Sequence, residues 1–153
     1  MRRTPLALLC VLFASAALGC RAKAPRAEGD LLNRLQGRYT CTMMEMGGQA
    51  APPALMEKMG LKYAVRGKQL VAYRPTGEED PIDFELDESK APAQLTFTEQ
   101  HPEAGRRVTT GLLKYEDGVL TIVMSGFEGE ANRPRGFKTE RPAEMLIVLK
   151  RDN

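Results

Sequence analysis

Residues 82–87 read Ile-Asp-Phe-Glu-Leu-Asp, and this run decides the fold class. Apolar and acidic side chains alternate along it without a break. A period of two is typical of a strand that buries one face and exposes the other. The turn signal Pro75-Thr76-Gly77 lies before it. The run therefore predicts a half-buried strand.

The same period recurs on both sides of this run. Asp117-Gly118, between Tyr115 and Val119, adds the signal of a two-residue hairpin. Short strands at regular spacing predict a mainly β protein, and about eight of them can close one antiparallel barrel. The predicted apolar faces are Tyr39, Cys41 and Met43; Leu61, Tyr63 and Val65; Leu95 and Phe97; Leu120, Ile122 and Met124; and Met145, Ile147 and Leu149.

Two short helical segments accompany the strands. Asp30 can cap a helical turn that contains Leu31, Leu32 and Leu35 and stops at Gly37. Residues 52–59 begin with proline and end before Gly60, which predicts one short helix. Its predicted apolar face comprises Leu55, Met56 and Met59.

The N-terminus carries an export signal. Arg2 and Arg3 precede an apolar run from Leu6 to Leu18, which suits a signal peptide and is too short to span a membrane. The residues 17–20, Ala-Leu-Gly-Cys, resemble the lipobox of bacterial lipoproteins, which implies cleavage before Cys20 and acylation of that residue. The predicted parts are a signal peptide at 1–19, a lipidated cysteine and flexible tether at 20–30, and the barrel domain at 31–153. The alternative is plain secretion without a lipid.

The expected location is a bacterial membrane to which the chain is lipid-anchored. Arg21 follows Cys20, without the Asp that resembles an inner-membrane retention signal, so the outer membrane is favoured. The domain is then expected in the periplasm or at the cell surface. Several acyl chains, carried on the thiol and the new amino group of Cys20, give the stable anchoring that one chain does not.

Composition narrows the function classes. Beyond residue 19 the basic and acidic residues balance at 20 each, so no general attraction to nucleic acid is expected. The chain has 1 His and 3 Cys, which excludes a His-rich metal site and a disulfide framework. No cofactor motif is present, and we predict that the protein is not an enzyme.

The domain as a whole resembles an uncharacterised lipocalin-like family of planctomycete bacteria, across about residues 31–152. The resemblance implies a lipocalin-like barrel and no known activity. Tyr39 stands where the family usually has Trp, and Val123 lies near a common Cys. The matching segments are residues 35–39 (Leu-Gln-Gly-Arg-Tyr), 48–49 and the Pro-rich helix, 84–87 with 90–92 and 95–96, 111–120, 132–134 (Asn-Arg-Pro) and 146–151 (Leu-Ile-Val-Leu-Lys-Arg).

Other chemical readings remain open as alternatives. His101 could pair with a serine or with Cys41, but its polar surroundings indicate an exposed loop. The acidic runs 78–80 and 87–88 are interpreted as turns and a solvated strand face. The arginines at 106, 107, 133, 135 and 141 are interpreted as solvated surface.

Function divides into three hypotheses. The first is an interaction module that contacts an envelope protein through rim loops such as 99–107 and 126–136. The second is carriage of a small apolar ligand inside the barrel, with its walls formed by inward-facing residues. The third is Cu(I) binding by thioethers among Met43, Met44, Met46, Met56 and Met59. The residues predicted to face the interior are Tyr39, Tyr63, Phe84, Phe97, Leu120 and Ile122.

Overall fold

A computed structural model describes residues 29–101 and 105–153 of the chain. The predicted signal peptide, Cys20 and the tether up to residue 28 lie outside the described residues. The elements in chain order are α1 (Asp30–Leu35), β1 (Gly37–Met46), β2 (Gln49–Ala50), α2 (Pro53–Met59), β3 (Lys62–Arg66), β4 (Gln69–Tyr73), β5 (Glu79–Asp87), β6 (Ala93–His101), β7 (Gly105–Glu116), β8 (Val119–Glu128), a 3-10 turn (Glu130–Asn132) and β9 (Glu144–Arg151).

The sheet closes into a barrel. From β3 to β9 each strand pairs antiparallel with the next, and β1 pairs with both β3 and β9. Eight strands thus form a closed antiparallel, lipocalin-like barrel, and β2 is a short addition beside the end of β1. Closure leaves almost no unpaired strand edge, which would otherwise invite association. The predicted mainly β fold is confirmed.

The alternation seen in the sequence sets the inner wall. Phe84 lies opposite Phe97 on β5 and β6, and Ile122 lies opposite Ile147 on β8 and β9. These residues belong to one buried cluster that fills the barrel. The inward faces predicted for β3, β5, β6, β8 and β9 all pack into or against this cluster.

One predicted face is wrong in its last member, at Met43. The register between β1 and β9 shifts between Cys41 and Met43, so Thr42 is an extra residue in the ladder. A bulge of one residue moves every later side chain to the opposite face. Cys41 therefore lies in the interior, Met43 packs on the outer wall, and Met44 packs against the interior cluster.

The predicted hairpin at Asp117-Gly118 is confirmed. Glu116 pairs with Val119, so two residues form the turn. Asp117 has φ 50° and Gly118 has φ 80°. Positive φ at both central residues defines the type I′ turn, whose twist matches that of the flanking strands.

Helix α1 begins differently from the prediction. Asp30 is the first residue of the helix rather than its cap. The cap position is occupied by Gly29, which has no side chain to accept a hydrogen bond. The carboxylate of Glu88 takes the capping role: Oε2 accepts from the Leu31 N–H at 3.1 Å and Oε1 from the Leu32 N–H at 3.1 Å. A side chain 57 positions away thus satisfies donors that a helix start leaves free.

Helix α2 has the predicted stop at Gly60, which is left-handed with φ 53°. Its predicted apolar face is only partly buried: Met56 is in the core, Met59 is half-buried and Leu55 is exposed. A helix of about two turns that crosses the end of a barrel can direct only a narrow stripe inward. Neither helix in the described part of the chain is long and apolar enough to span a membrane.

Candidate functional site

The barrel has two different ends. The lower end holds α1, the hairpin turns at 67–68 and 117–118, and the C-terminus. The upper end holds the turn at 47–48 and helix α2. The connection 129–143, which we call the strap, starts and finishes at this end and runs along the outer wall between. The described chain enters at Gly29, beside α1, and therefore at the lower end.

The interior is a packed core. Of the six residues predicted to face inward, Tyr39, Phe84, Phe97, Leu120 and Ile122 are buried in the central cluster, and Tyr63 is half-buried against it. The rings of Phe84 and Phe97 meet edge to face, with centroids 6.3 Å apart and planes at 61°. Among these side chains remains a cavity of about 10 Å³. That volume is close to the least that can hold one water molecule.

The thiol of Cys41 and the phenol of Tyr63 are poor nucleophiles at neutral pH. Burial raises the pKa of the Cys41 thiol, although its hydrogen bond to the Met43 carbonyl oxygen, at 3.4 Å, acts in the other direction. The thiol is therefore protonated at neutral pH. Burial, followed by the nearby Cys41, raises the pKa of Tyr63 to about 12.

Arg151 closes the lower end. Its Nη2 donates to the Gln36 carbonyl oxygen at 2.8 Å and to the Tyr39 hydroxyl at 3.2 Å, as well as to the Arg34 carbonyl oxygen. Its guanidinium lies 5.6 Å from the ring centroid of Tyr39 and 5.5 Å from that of Tyr115. These contacts fix α1 across the base of the barrel, with the cation held against two ring faces.

Arg133 anchors the strap to the barrel wall. Its Nη1 donates to the carbonyl oxygens of Leu95 at 2.8 Å and Gly111 at 2.6 Å, which lie opposite each other on β6 and β7. Its Nε and Nη2 form a two-pronged ion pair with Glu130, at 2.6 and 2.7 Å. The side chain is 12% exposed. The prediction of a solvated arginine is therefore wrong here.

Arg141 is the second arginine that holds the strap, although its side chain is 38% exposed, as predicted for a solvated arginine. Its Nε donates to Glu144 Oε1 at 2.8 Å, and its Nη2 donates to the Asn132 carbonyl oxygen at 2.6 Å. Burial opposes ionisation of Glu144, but hydrogen bonds from Arg141 and from the Glu140 N–H outweigh it and lower the pKa of that carboxyl. Glu144 is therefore a buried, ionised anchor of the strap.

The strap also covers an apolar patch on the outside of the barrel. Leu112, Val123 and Leu146 are buried there, with Phe137 of the strap packed against them. Lys114 Nζ lies 5.3 Å from the Phe137 ring centroid. Nothing in the sequence periodicity indicated this patch, because it depends on a strap without regular structure.

Three large apolar side chains are exposed at the upper end. Met46 is 56% exposed, Leu55 is 45% and Phe127 is 55%. They are the only large hydrophobic residues that are exposed among residues 29–101 and 105–153. A groove of about 520 Å³ lies beside Met46 and is lined by Met44, Ala50, Ala51, Pro52 and Pro142 among others. The usable apolar surface is thus at the end opposite α1.

Among the described side chains, the acidic sequence candidates do not converge on a polar site. Glu79 pairs with Arg66 at 2.9 Å, and Asp80 pairs with Arg74 at 3.0 Å, on the exposed surface. The predicted loop at 99–107 is wrong for most of its length, because residues 99–101 belong to β6 and 105–107 to β7. The side chain of His101 lies outside the described residues, as do residues 102–104. Within the described ranges no group of three or more His, Cys, Asp or Glu is placed to hold a metal ion.

Known proteins offer no guide to this site, because no protein-family model, curated protein or solved structure matches the chain.

Proposed function

We propose that this chain is an exported lipoprotein, acylated at Cys20, whose barrel is a non-enzymatic module that binds a protein of the bacterial envelope. The observation that carries the binding proposal is the contrast between a filled interior and an upper end with exposed Met46, Leu55 and Phe127. The strand order places all three residues at the same end of the barrel, and apolar side chains exposed at one end can form an interaction surface. The barrel is also consistent with membership of the lipocalin-like family that the sequence resembles, which we propose on the matching segments.

The two ends suit an anchored module. A lipid on Cys20 would connect to the barrel at Gly29, beside α1, so the lower end would be the nearer one to the membrane. The upper end would then point away from the membrane, toward other envelope proteins. The rim residues 99–101 and 105–107 belong to the β6–β7 hairpin at this same end.

Carriage of an apolar ligand is less well supported. Ligand sites are usually cavities of roughly 300–1,000 Å³, whereas the interior cavity measures about 10 Å³. Binding would require several buried side chains to move at once. We therefore propose the outer surface of the upper end, rather than the interior, as the binding surface.

The anchor is tested by Cys20→Ser in the full chain, expressed in a bacterium with lipoprotein processing. The wild-type chain is expected in the membrane fraction and labelled by an alkyne fatty acid. The variant is expected to lose the label and either to leave the membrane fraction or to remain unprocessed. Cys41→Ser is the matched control and should keep the label. A Cys20→Ser chain with an unchanged label and unchanged partitioning would contradict the anchor.

The binding surface is tested by photocrosslinking in the cell. A photoreactive amino acid is placed at Leu55 or Phe127 on the upper end, and at the exposed positions Lys68 or Asp117 on the lower end. A discrete protein adduct is expected from the upper positions only. Adducts that are equal at both ends, or absent from the upper end, would refute this surface.

A further inference from the structure

Five methionines come together at the upper end of the barrel. The chain has 8 methionines, and the sequence spacing suggested Met43, Met44, Met46, Met56 and Met59 as a thioether group. The fold selects a different group, because it brings in two residues distant in sequence. These five, which we call the methionine rim, are Met44, Met46, Met56, Met124 and Met145.

The strand register places three members of the rim in a row. Met46 of β1 lies opposite Met145 of β9, and Met145 lies opposite Met124 of β8. Residues directly opposite in an antiparallel pair have Cβ atoms about 5 Å apart. A flexible thioether side chain at each of these positions can therefore reach a common point.

Met44 and Met56 complete the rim from the same side. Met44 lies two residues before Met46 on the same face of β1, and both line the groove of about 520 Å³. Met44, Met124 and Met145 pack against the interior cluster, to which the buried Met56 of α2 belongs. The Thr42 bulge produces this arrangement: without it Met44 and Met46 would be on the outer wall.

We propose that the methionine rim binds a soft monovalent metal ion, Cu(I), through the thioethers of Met46, Met145 and Met124, with Met44 as a fourth ligand. Thioether sulfur is a soft ligand that favours Cu(I) over the hard cations bound by oxygen. A thioether carries no proton, so the ion displaces none from these ligands. The proposal does not depend on the protein-binding role, because the ion can bind the isolated chain.

The groove gives solvent access to Met44 and Met46, which line it. Met46 is 56% exposed, and Met124 and Met145 are half-buried, so an ion can reach the sulfur atoms from solvent. Met43 provides the internal contrast. It lies only three residues from Met46, but it packs on the outer wall with Leu112, Val123 and Leu146.

The direct test observes each methionine separately. The full chain, with Cys10→Ser and Cys20→Ser to remove two other thiols, is labelled with ¹³C at the methionine methyl groups and titrated with Ag(I), a redox-inert substitute for Cu(I). Methyl shifts at Met46, Met124, Met145 and Met44 should saturate near one equivalent, and the Met43 and Met59 signals should stay still. No shift at one equivalent, or a Met43 shift as large as that of Met46, would overturn the proposal.

Matched variants test the ligands by competition for Cu(I) with a chromogenic chelator under anaerobic conditions. Met46→Leu with Met145→Leu should weaken binding at least tenfold, whereas Met43→Leu and Cys41→Ala should each change it less than twofold. Met46→Leu alone, at an exposed position, is the second variant should the double one fail to fold, and should weaken binding at least threefold. Equal affinities of wild type and Met46→Leu, or a tenfold loss in Cys41→Ala, would overturn the proposed ligand set.

Discussion

The two ends of the barrel differ in how much of their apolar surface is buried. At the lower end, Leu35 and Tyr39 are fully buried, Glu88 caps α1, and Arg151 bonds to the carbonyl groups around them. At the upper end, Met46, Leu55 and Phe127 are exposed, and the flexible side chains of Met44 and Met46 line the groove. The lower end is thus organised for stability. The upper end leaves apolar surface and soft sulfur atoms available, which is where we place the function.

The strap differs from both ends of the barrel. It connects two strand ends at the upper end, but it runs along the outer wall, where Arg133, Arg141 and Glu144 hold it with ion pairs and hydrogen bonds to backbone groups. Its ordered contacts cover the outer patch of Leu112, Val123 and Leu146. Exposure of apolar surface is therefore selective, because the patch on the outer wall is covered while Met46 and Phe127 at the upper end are not.

The largest expected loss of stability comes from a substitution in the core, which lies between the two ends. Phe97→Ala should lower the free energy of unfolding by about 3–5 kcal/mol, because it removes a buried ring from a filled interior and leaves a cavity. Chemical denaturation followed by circular dichroism measures the loss. A loss below about 1 kcal/mol would mean that the interior is open enough to accommodate the change, and would revive ligand carriage.

The stability of the lower end should depend on the planar guanidinium of Arg151 and not only on its charge. Arg151→Lys keeps the charge but cannot span the carbonyl group of Gln36 and the rings of Tyr39 and Tyr115 together. We expect a loss of about 2 kcal/mol from the missing hydrogen bonds and ring contacts, measured in the same denaturation experiment. An unchanged midpoint would show that the α1 closure does not depend on this residue.

The strap should give a pH-dependent effect. Because the pKa of Glu144 is lowered in the folded protein, its ionised form adds stability above the unfolded-state value, and this part is lost as the pH falls through the folded value. Glu144→Gln should therefore cost about 1.5 kcal/mol at pH 7. The gap between the variant and wild type should narrow below about pH 4.5. A gap that is constant from pH 7 to pH 3 would contradict this role.

The cap of α1 should have a smaller effect. Glu88→Ala leaves the N–H groups of Leu31 and Leu32 without their acceptor and should cost about 1 kcal/mol. Amide hydrogen exchange at these two positions is expected to speed up while exchange in β8 changes little. Ser89→Ala, at the neighbouring exposed position, is the control and should leave α1 unaffected.

The smallest effect is expected at the upper end. Met46→Gln, Leu55→Gln and Phe127→Gln should each change the free energy of unfolding by less than about 0.5 kcal/mol, because their side chains are already largely in water. The same substitutions should abolish the proposed protein contact. A loss of 2 kcal/mol at any of them would place that residue in the core and would remove the contrast between the ends.

Local patterning predicted most of the strands of the barrel. The period of two in residues 82–87 and in the other runs identified the inward-facing residues, except at Met43 beyond the bulge, since strand side chains alternate regardless of the partner strand. The Asp117-Gly118 turn needed only its own residues, because few others adopt positive φ twice in succession. Strand β4 was missed because Leu70 and Val71 are both buried, so its apolar residues show no alternation.

Contacts between distant residues required the tertiary structure. The Thr42 bulge depends on how β1 pairs with β9, and the sequence around Thr42 carries no sign of it. The capping of α1 by Glu88 and the anchoring of the strap by Arg133 join segments far apart in the chain. The methionine rim is the clearest case: local spacing suggested Met43, whereas strand register brings Met145 and Met124 beside Met46, since closing the barrel fixes which strand ends are neighbours.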